Sequence, residues 1–221
     1  MRITLPSGAS AEIAATDTDP VMGLVIAPDI FGLRPLYDVL VTRLAAEWSM
    51  AVCAVEPFPG RDLPGDIQPR VAAVPTIDDE AHLRDLEAAA TELASAGIER
   101  IGLLGFCLGG MYCHKAARSE VFERIVSFYG MIRVPEAWRS ATQGEPLEYL
   151  ASGHADRVLA IIGEVDHYTP PGDVAALATT GVSIVSYPDA EHGFAHDPAR
   201  PAHRPADAAD AFARARTWLT G

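Results

Sequence analysis

Ile101-Gly102-Leu103-Leu104-Gly105-Phe106-Cys107-Leu108-Gly109-Gly110-Met111 decides how this chain is read. The apolar run from 101 to 106 suits a buried strand. The glycines around Cys107 suit a turn too tight for a Cβ, and the residues from 109 to 118 can continue as a helix. A side chain at the apex of such a turn sits above the sheet at a helix N-terminus, where a thiolate is favoured over a thiol. The bland alternative is a small buried cysteine in a Gly-rich strand–helix joint, because Cys is among the most buried residue types. A motif of this length also arises by chance, so the rest of the chain has to choose.

A nucleophile needs a base within hydrogen-bond reach and a third group to orient that base. Downstream of Cys107 the chain offers Asp166, just after an apolar run at 158–163, and His192, in the loop after the last run at 182–187. Nucleophile, acid and histidine in that order, each at the carboxyl end of a strand, is the arrangement of α/β-hydrolases, whose elbow carries the nucleophile on a Gly-x-Ser-x-Gly turn. Six other histidines exist, at 82, 114, 154, 167, 196 and 203, and few random placements would satisfy the order and the loops together. Asp189 rivals Asp166, but it lies so close to His192 that the loop would have to fold back on itself. Cys107 and Cys113, six residues apart, do not share a helix face and complete no metal-ligand spacing. Cys113 and His114 read as packing and helix-surface residues, and Cys53 as an inert thiol in a buried strand.

The 221 residues are enough for one sizeable α/β domain spanning 1–221. With 49% hydrophobic and 21% charged residues the composition is that of a globular enzyme. Thirty acidic against 17 basic residues give a formal net charge of −13, which repels phosphate backbones and anionic lipid. Nucleic-acid and membrane partners are therefore not expected, and an anionic substrate would need a local arginine. Three cysteines argue against a disulfide scaffold and for a reducing compartment. No apolar leader precedes Val25 and no stretch approaches the ~18 apolar residues of a membrane span, so a cytoplasmic protein is expected.

Short strands are expected at 2–5 and 11–15, then buried strands at 21–27 and 50–55 with a helix at 36–48 between them. Pro- and Gly-rich residues 56–77 read as a long surface loop with room for a short helix. A helix over 78–96 follows, its apolar face on Ala81, Leu83, Leu86 and Leu93, and then the strand and elbow. The pattern continues with a strand at 123–129, irregular chain at 133–156, a strand at 158–163, a helix at 172–179, a strand at 182–187 and a terminal helix at 206–219. In that last helix Ala208, Ala211, Phe212 and Trp218 are the expected core positions. Alternation of strand and helix predicts a mostly parallel sheet covered on both faces.

The chain resembles the dienelactone hydrolase (carboxymethylenebutenolidase) family of α/β-hydrolases over nearly its whole length. Asp29-Ile30-Phe31-Gly32, Asp85-Leu86-Glu87-Ala88-Ala89, Gly105-Phe106-Cys107-Leu108-Gly109-Gly110, Tyr129-Gly130, Gly163-Glu164-Val165-Asp166 and His192-Gly193-Phe194 carry the likeness. The resemblance implies an α/β-hydrolase fold without a large cap domain. It implies Cys107 as nucleophile, His192 as general base and acid, and Asp166 as the orienting acid. A carboxylate in the Ile-Phe-Gly loop would touch the resting thiol; the family's Glu is replaced here by Asp29, one methylene shorter. Backbone N–H groups of Ile30 and Leu108 would form the oxyanion hole, and Phe31, Tyr129 and Phe194 would meet the substrate. Two family arginines bind a substrate carboxylate. Arg70 is the nearest candidate for one, and His196 stands at the position of the other, exchanging a fixed fork of donors for a titratable ring.

The expected reaction is hydrolysis of a small ester or lactone, anionic ones included, through a thioester on Cys107, with no cofactor or metal, in a monomer or homodimer. Two alternatives stay open: a non-catalytic or redox-sensing thiol on the same scaffold, and an acyltransferase or hydrolase acting on another bond.

Overall fold

The computed structural model describes residues 1–16 and 19–221. Eight strands form one sheet in the order β1-β2-β4-β3-β5-β6-β7-β8. They are β1 (Arg2–Thr4), β2 (Ser10–Ala14), β3 (Gly23–Ala27), β4 (Ala51–Val55), β5 (Ile101–Phe106), β6 (Arg124–Phe128), β7 (Val158–Gly163) and β8 (Ser183–Tyr187). The β1–β2 and β2–β4 pairs are antiparallel and the remaining pairs parallel. β3, β4 and β5 are buried at every position, which is why they read as unbroken apolar runs rather than alternating ones. The α/β architecture and mostly parallel sheet expected from the sequence are both present.

The chain runs from β3 outward to β4, then crosses back to β5 on the other side of β3. The carboxyl ends of β3 and β5 therefore flank the point where strand order reverses, the usual place for a ligand crevice in an open parallel sheet. Register sets the two ends level, with Ala27 opposite Gly105. The loop of Ile30 thus lands beside the turn of Cys107.

The helices are α1 (Pro35–Trp48), α2 (Ile67–Ala73), α3 (Asp79–Ser95), α4 (Leu108–Lys115), α5 (Pro146–Ala151), α6 (Pro171–Ala178) and α7 (Pro205–Thr220). α1 starts on Pro35, whose missing N–H costs nothing there, and α3 on Asp78, whose side chain accepts from Ala81 N at 2.8 Å. The inward face of α3 is turned relative to the expected one. Leu86 and Leu93 are buried, but Ala81 is exposed and His82, Asp85, Ala89 and Ala90 complete the face. Trp218, expected in the core of α7, is half-buried and donates from Nε1 to Arg157 O at 3.2 Å. Residues 56–77 hold α2 and one 3-10 turn, and the stretch read as irregular at 133–156 holds α5 and two more.

Polar residues inside α3 explain the turned face. Asp79 Oδ1 and Oδ2 each lie 2.8 Å from Lys115 Nζ, and both side chains are buried. The carboxylate also accepts from Tyr112 Oη (3.0 Å), Gly144 N (2.8 Å) and Tyr149 Oη (3.2 Å). This cluster ties α3 and α4 to the segment around α5. Burial drives the Lys115 ammonium below its ordinary value, and Asp79 opposes that shift. His114, expected on the helix surface, is instead fully enclosed, and burial pushes it down to about 4. Asp79→Ala leaves the Lys115 charge buried and unpaired, and should cost about 3–5 kcal/mol in urea-induced unfolding.

Candidate active site

Cys107 occupies the apex between β5 and α4 with φ 56° and ψ −114°, a conformation a non-glycine residue holds only when its surroundings impose it. Its neighbours impose it by close approach. A Cβ on Gly109 would lie 1.9 Å from Ala27 O, and one on Gly105 would lie 2.3 Å from Gly109 O. Any side chain at either position would push α4 off the strands. Cys107 N donates to Phe128 O (3.0 Å) and Gly109 N to Pro28 O (3.1 Å), which fastens the turn to the ends of β6 and β3. Leu108 N, between them, donates to no acceptor among the described residues, and neither does Ile30 N in the loop after β3.

Asp166 and His192 meet as expected: His192 Nδ1 and Asp166 Oδ2 are 2.8 Å apart and both side chains are buried. Asp166 Oδ1 accepts from Tyr168 N at 2.8 Å, which sets the carboxylate's orientation. Asp189, the rival acid, is exposed in a turn with φ 58°. With Nδ1 taken by Asp166, His192 Nε2 is buried and has no complete hydrogen bond to a described residue. Burial pushes the imidazole down, but negative charge at Cys107 and the Asp166 carboxylate outweigh it and raise His192 to about 10. Both neighbours thus favour the charged form of the His192 ring.

Asp29 does not make the contact expected of it. No hydrogen bond joins it to Cys107 among the described residues. Its oxygens accept instead from Arg34 Nη1 (2.7 Å) and Nη2 (2.9 Å), His196 Nε2 (2.7 Å) and Phe31 N (3.0 Å). Burial would raise this carboxyl, yet the His196 and Arg34 donors hold it well below the usual carboxylate range. The short side chain reaches Phe31 N and Arg34 of its own stretch and the distant ring of His196. His196, expected at the substrate, is only 3% exposed and stacks on Phe106 at 4.7 Å between centroids. Its Nδ1 lies 2.5 Å from Tyr129 Oη. Tyr129 and Phe194, also expected at the substrate, are fully buried and pack on each other at 5.6 Å. Arg70 donates to the carbonyls of Pro64 (2.8 Å), Leu63 (3.0 Å) and Ile30 (3.3 Å), so its guanidinium braces the loop instead of facing the cleft.

A cleft of about 650 Å³ opens over Cys107 and His192. Of the residues expected at the substrate, only Phe31 lines it, beside Ile30. Ile67 and Val71 of α2, Trp138, Val165 and Tyr168 supply further apolar wall, and the Tyr168 ring meets His192 edge-on at 4.8 Å. Arg200 also lines the cleft; its guanidinium rests against Gly193, where a Cβ would lie 2.7 Å from Cζ, and it forms no salt bridge among the described residues. The family resemblance pointed to the position four residues after His192, where His196 stands, whereas Arg200 stands eight after it, across Asp197-Pro198. Arg34 was the other residue missed, and its signal was an opposite charge five residues after Asp29 across the Ile-Phe-Gly turn. Among the described residues no group of three or more His, Cys, Asp or Glu is placed to hold a metal ion, and no helix is long and apolar enough to cross a membrane.

Comparison with known proteins gives the family and the fold. A probable 2-oxo-3-(5-oxofuran-2-ylidene)propanoate lactonase of Bradyrhizobium is 30% identical over 158 residues, covering 66% of this chain and 62% of the lactonase. A Synechocystis protein assigned as a carboxymethylenebutenolidase is 28% identical over 236 aligned positions, covering 97% of this chain and 93% of that one. Among solved structures, a Klebsiella pneumoniae protein assigned as a dienelactone hydrolase shares the fold with a TM-score of 0.86 at 24% identity, covering 99% and 97% of the two chains. The sequence profile of the dienelactone hydrolase family matches residues 10–221, and the chain belongs to that family of α/β-hydrolases.

Proposed function

We propose that this protein hydrolyses small esters or lactones with Cys107 as the nucleophile. The observation that carries the reading is the His192 imidazole, fixed through Nδ1 by Asp166 at 2.8 Å and left with Nε2 buried and unbonded beside Cys107 at the floor of one cleft. The sulfur attacks the carbonyl carbon, and the resulting oxyanion is taken by the unengaged N–H groups of Ile30 and Leu108. As the tetrahedral intermediate collapses, the carbon–oxygen bond breaks and imidazolium Nε2 gives its proton to the departing alkoxide. The neutral imidazole then takes a proton from water, the hydroxide adds to the thioester, and the carbon–sulfur bond breaks to release the acid and restore the thiolate.

The cleft chemistry supports a substrate with an apolar body and a negative charge. Phe31, Ile67, Val71, Trp138 and Tyr168 supply apolar surface, and Arg200 supplies a cation with no salt-bridge partner among the described residues. Against a net charge of −13, such a cation is the local attraction an anionic ester would need.

Cys107→Ala should abolish turnover of p-nitrophenyl acetate, and intact-mass spectrometry of the wild-type protein should show the acyl adduct on the Cys107 peptide; retained turnover in the variant ends the assignment. Asp166→Asn removes the charge that favours the imidazolium, so the His192 titration followed by NMR should move to lower pH while turnover falls by a factor on the order of 10³–10⁴. Arg200→Met should raise KM for esters carrying a carboxylate by roughly tenfold or more, the size of one charge-assisted hydrogen bond, and leave KM for neutral esters unchanged.

A further inference from the structure

The side chains behind the cleft form a chain of hydrogen bonds whose donors and acceptors can be assigned throughout. His196 N donates to Tyr129 Oη at 3.3 Å, so the hydroxyl hydrogen of Tyr129 is free to point at His196 Nδ1, 2.5 Å away. Nδ1 is then an acceptor and the ring proton lies on Nε2, which donates to Asp29 Oδ2 at 2.7 Å. Burial holds the His196 imidazole below its ordinary value despite the pull of Asp29, in keeping with a neutral ring. The neutral ring adds a donor to the Asp29 carboxylate without adding a second cation to that of Arg34.

Asp29 transmits this to the loop that carries Ile30. Its own N–H donates to Tyr37 Oη (2.7 Å), its Oδ1 accepts from Phe31 N (3.0 Å), and its carbonyl accepts from Gly32 N (2.9 Å). The carbonyl of Ile30 is held by Arg70 Nη1 at 3.3 Å. The N–H groups of residues 29, 31 and 32 are therefore all engaged, and in this run Ile30 N alone has no acceptor among the described residues.

We propose that His196 is a positioning residue: with Tyr129 behind it, it locks Asp29 so that the Ile30 N–H points at the oxyanion. The role differs from priming the thiol, because Asp29 acts on the peptide that receives the developing charge and makes no hydrogen bond to Cys107. An N–H held in advance stabilises an oxyanion without reorganising as the charge forms. A loop released from the lock would have to order itself in each transition state.

The inference rests on the acyl-transfer reading above, and the test separates the two. Single-turnover acylation of Cys107 by p-nitrophenyl acetate is measured alongside alkylation of the same sulfur by iodoacetamide, which builds no oxyanion. His196→Ala should slow acylation roughly 10- to 100-fold, less than the approximately 10²- to 10³-fold expected when an oxyanion donor is removed outright. Alkylation and KM should stay as in the wild type. His196→Gln, which keeps a donor for Asp29 and an acceptor for Tyr129, should recover most of the acylation rate. Tyr129→Phe, which keeps the ring packing, should show the same selective loss in milder form and decides the matter if His196→Ala does not fold. Alkylation falling in step with acylation would assign the network to the thiol and overturn the proposal, as would unchanged acylation in the variants. A wild-type protein in which Cys107 is never acylated would end both readings, whereas wild-type acylation with indifferent variants would end only this one.

Discussion

Everything at the candidate site depends on one place where backbone meets backbone: Gly109 of α4 against the Ala27 carbonyl at the end of β3. Because no side chain fits there, α4 starts directly on the sheet and its first turn stands within reach of the neighbouring loop. Cys107 absorbs the geometric consequence in its positive φ. The same contact, with the Gly109 N to Pro28 O hydrogen bond, holds the loop after β3 beside the first turn of α4. Register completes the arrangement, because Ala27 and Gly105 are direct partners and the segments leave the sheet at the same height.

Three of the buried carboxylates, Asp29, Asp79 and Asp166, divide the electrostatic work. Asp166 holds an imidazole that is drawn toward its charged form, Asp29 holds a loop, and Asp79 holds a lysine that binds helices together. Each is surrounded by donors, which is the condition for a charge to remain inside a protein. Their partners differ in kind. Asp29 has a fixed cation in Arg34 and a second partner in the His196 ring, whereas Asp166 has a single ring whose charge also answers to Cys107. The carboxylate beside His192 thus has one side-chain partner, and the one beneath the loop is saturated with donors.

Much of this was legible in the sequence because it is written in local signals. Unbroken apolar runs marked β3, β4 and β5, glycines marked the elbow, and the order of Cys107, Asp166 and His192 matched the strand ends. What escaped needed pairing across the fold. Asp29 and His196 each differ from the residues of the family they resemble, and only the structure shows that they bond each other at 2.7 Å. Arg200 escaped because residues 197–200 alter the spacing through a turn that no periodicity reports. Arg70 stands in the region where an arginine was sought, yet three backbone carbonyls claim it. Helix α3 was misread at Ala81 because its inward face is partly polar, and an apolar template passes over Asp79, His82 and Asp85.

Helix α4 is only eight residues long and is secured at both ends. Its first residue follows the strained turn of Cys107, and its last, Lys115, is the buried partner of Asp79. A segment tied so briefly between two such anchors has no separate way of loosening. Its amides should therefore exchange with solvent only when the whole core opens, and loss of the site on heating should coincide with loss of the fold rather than precede it.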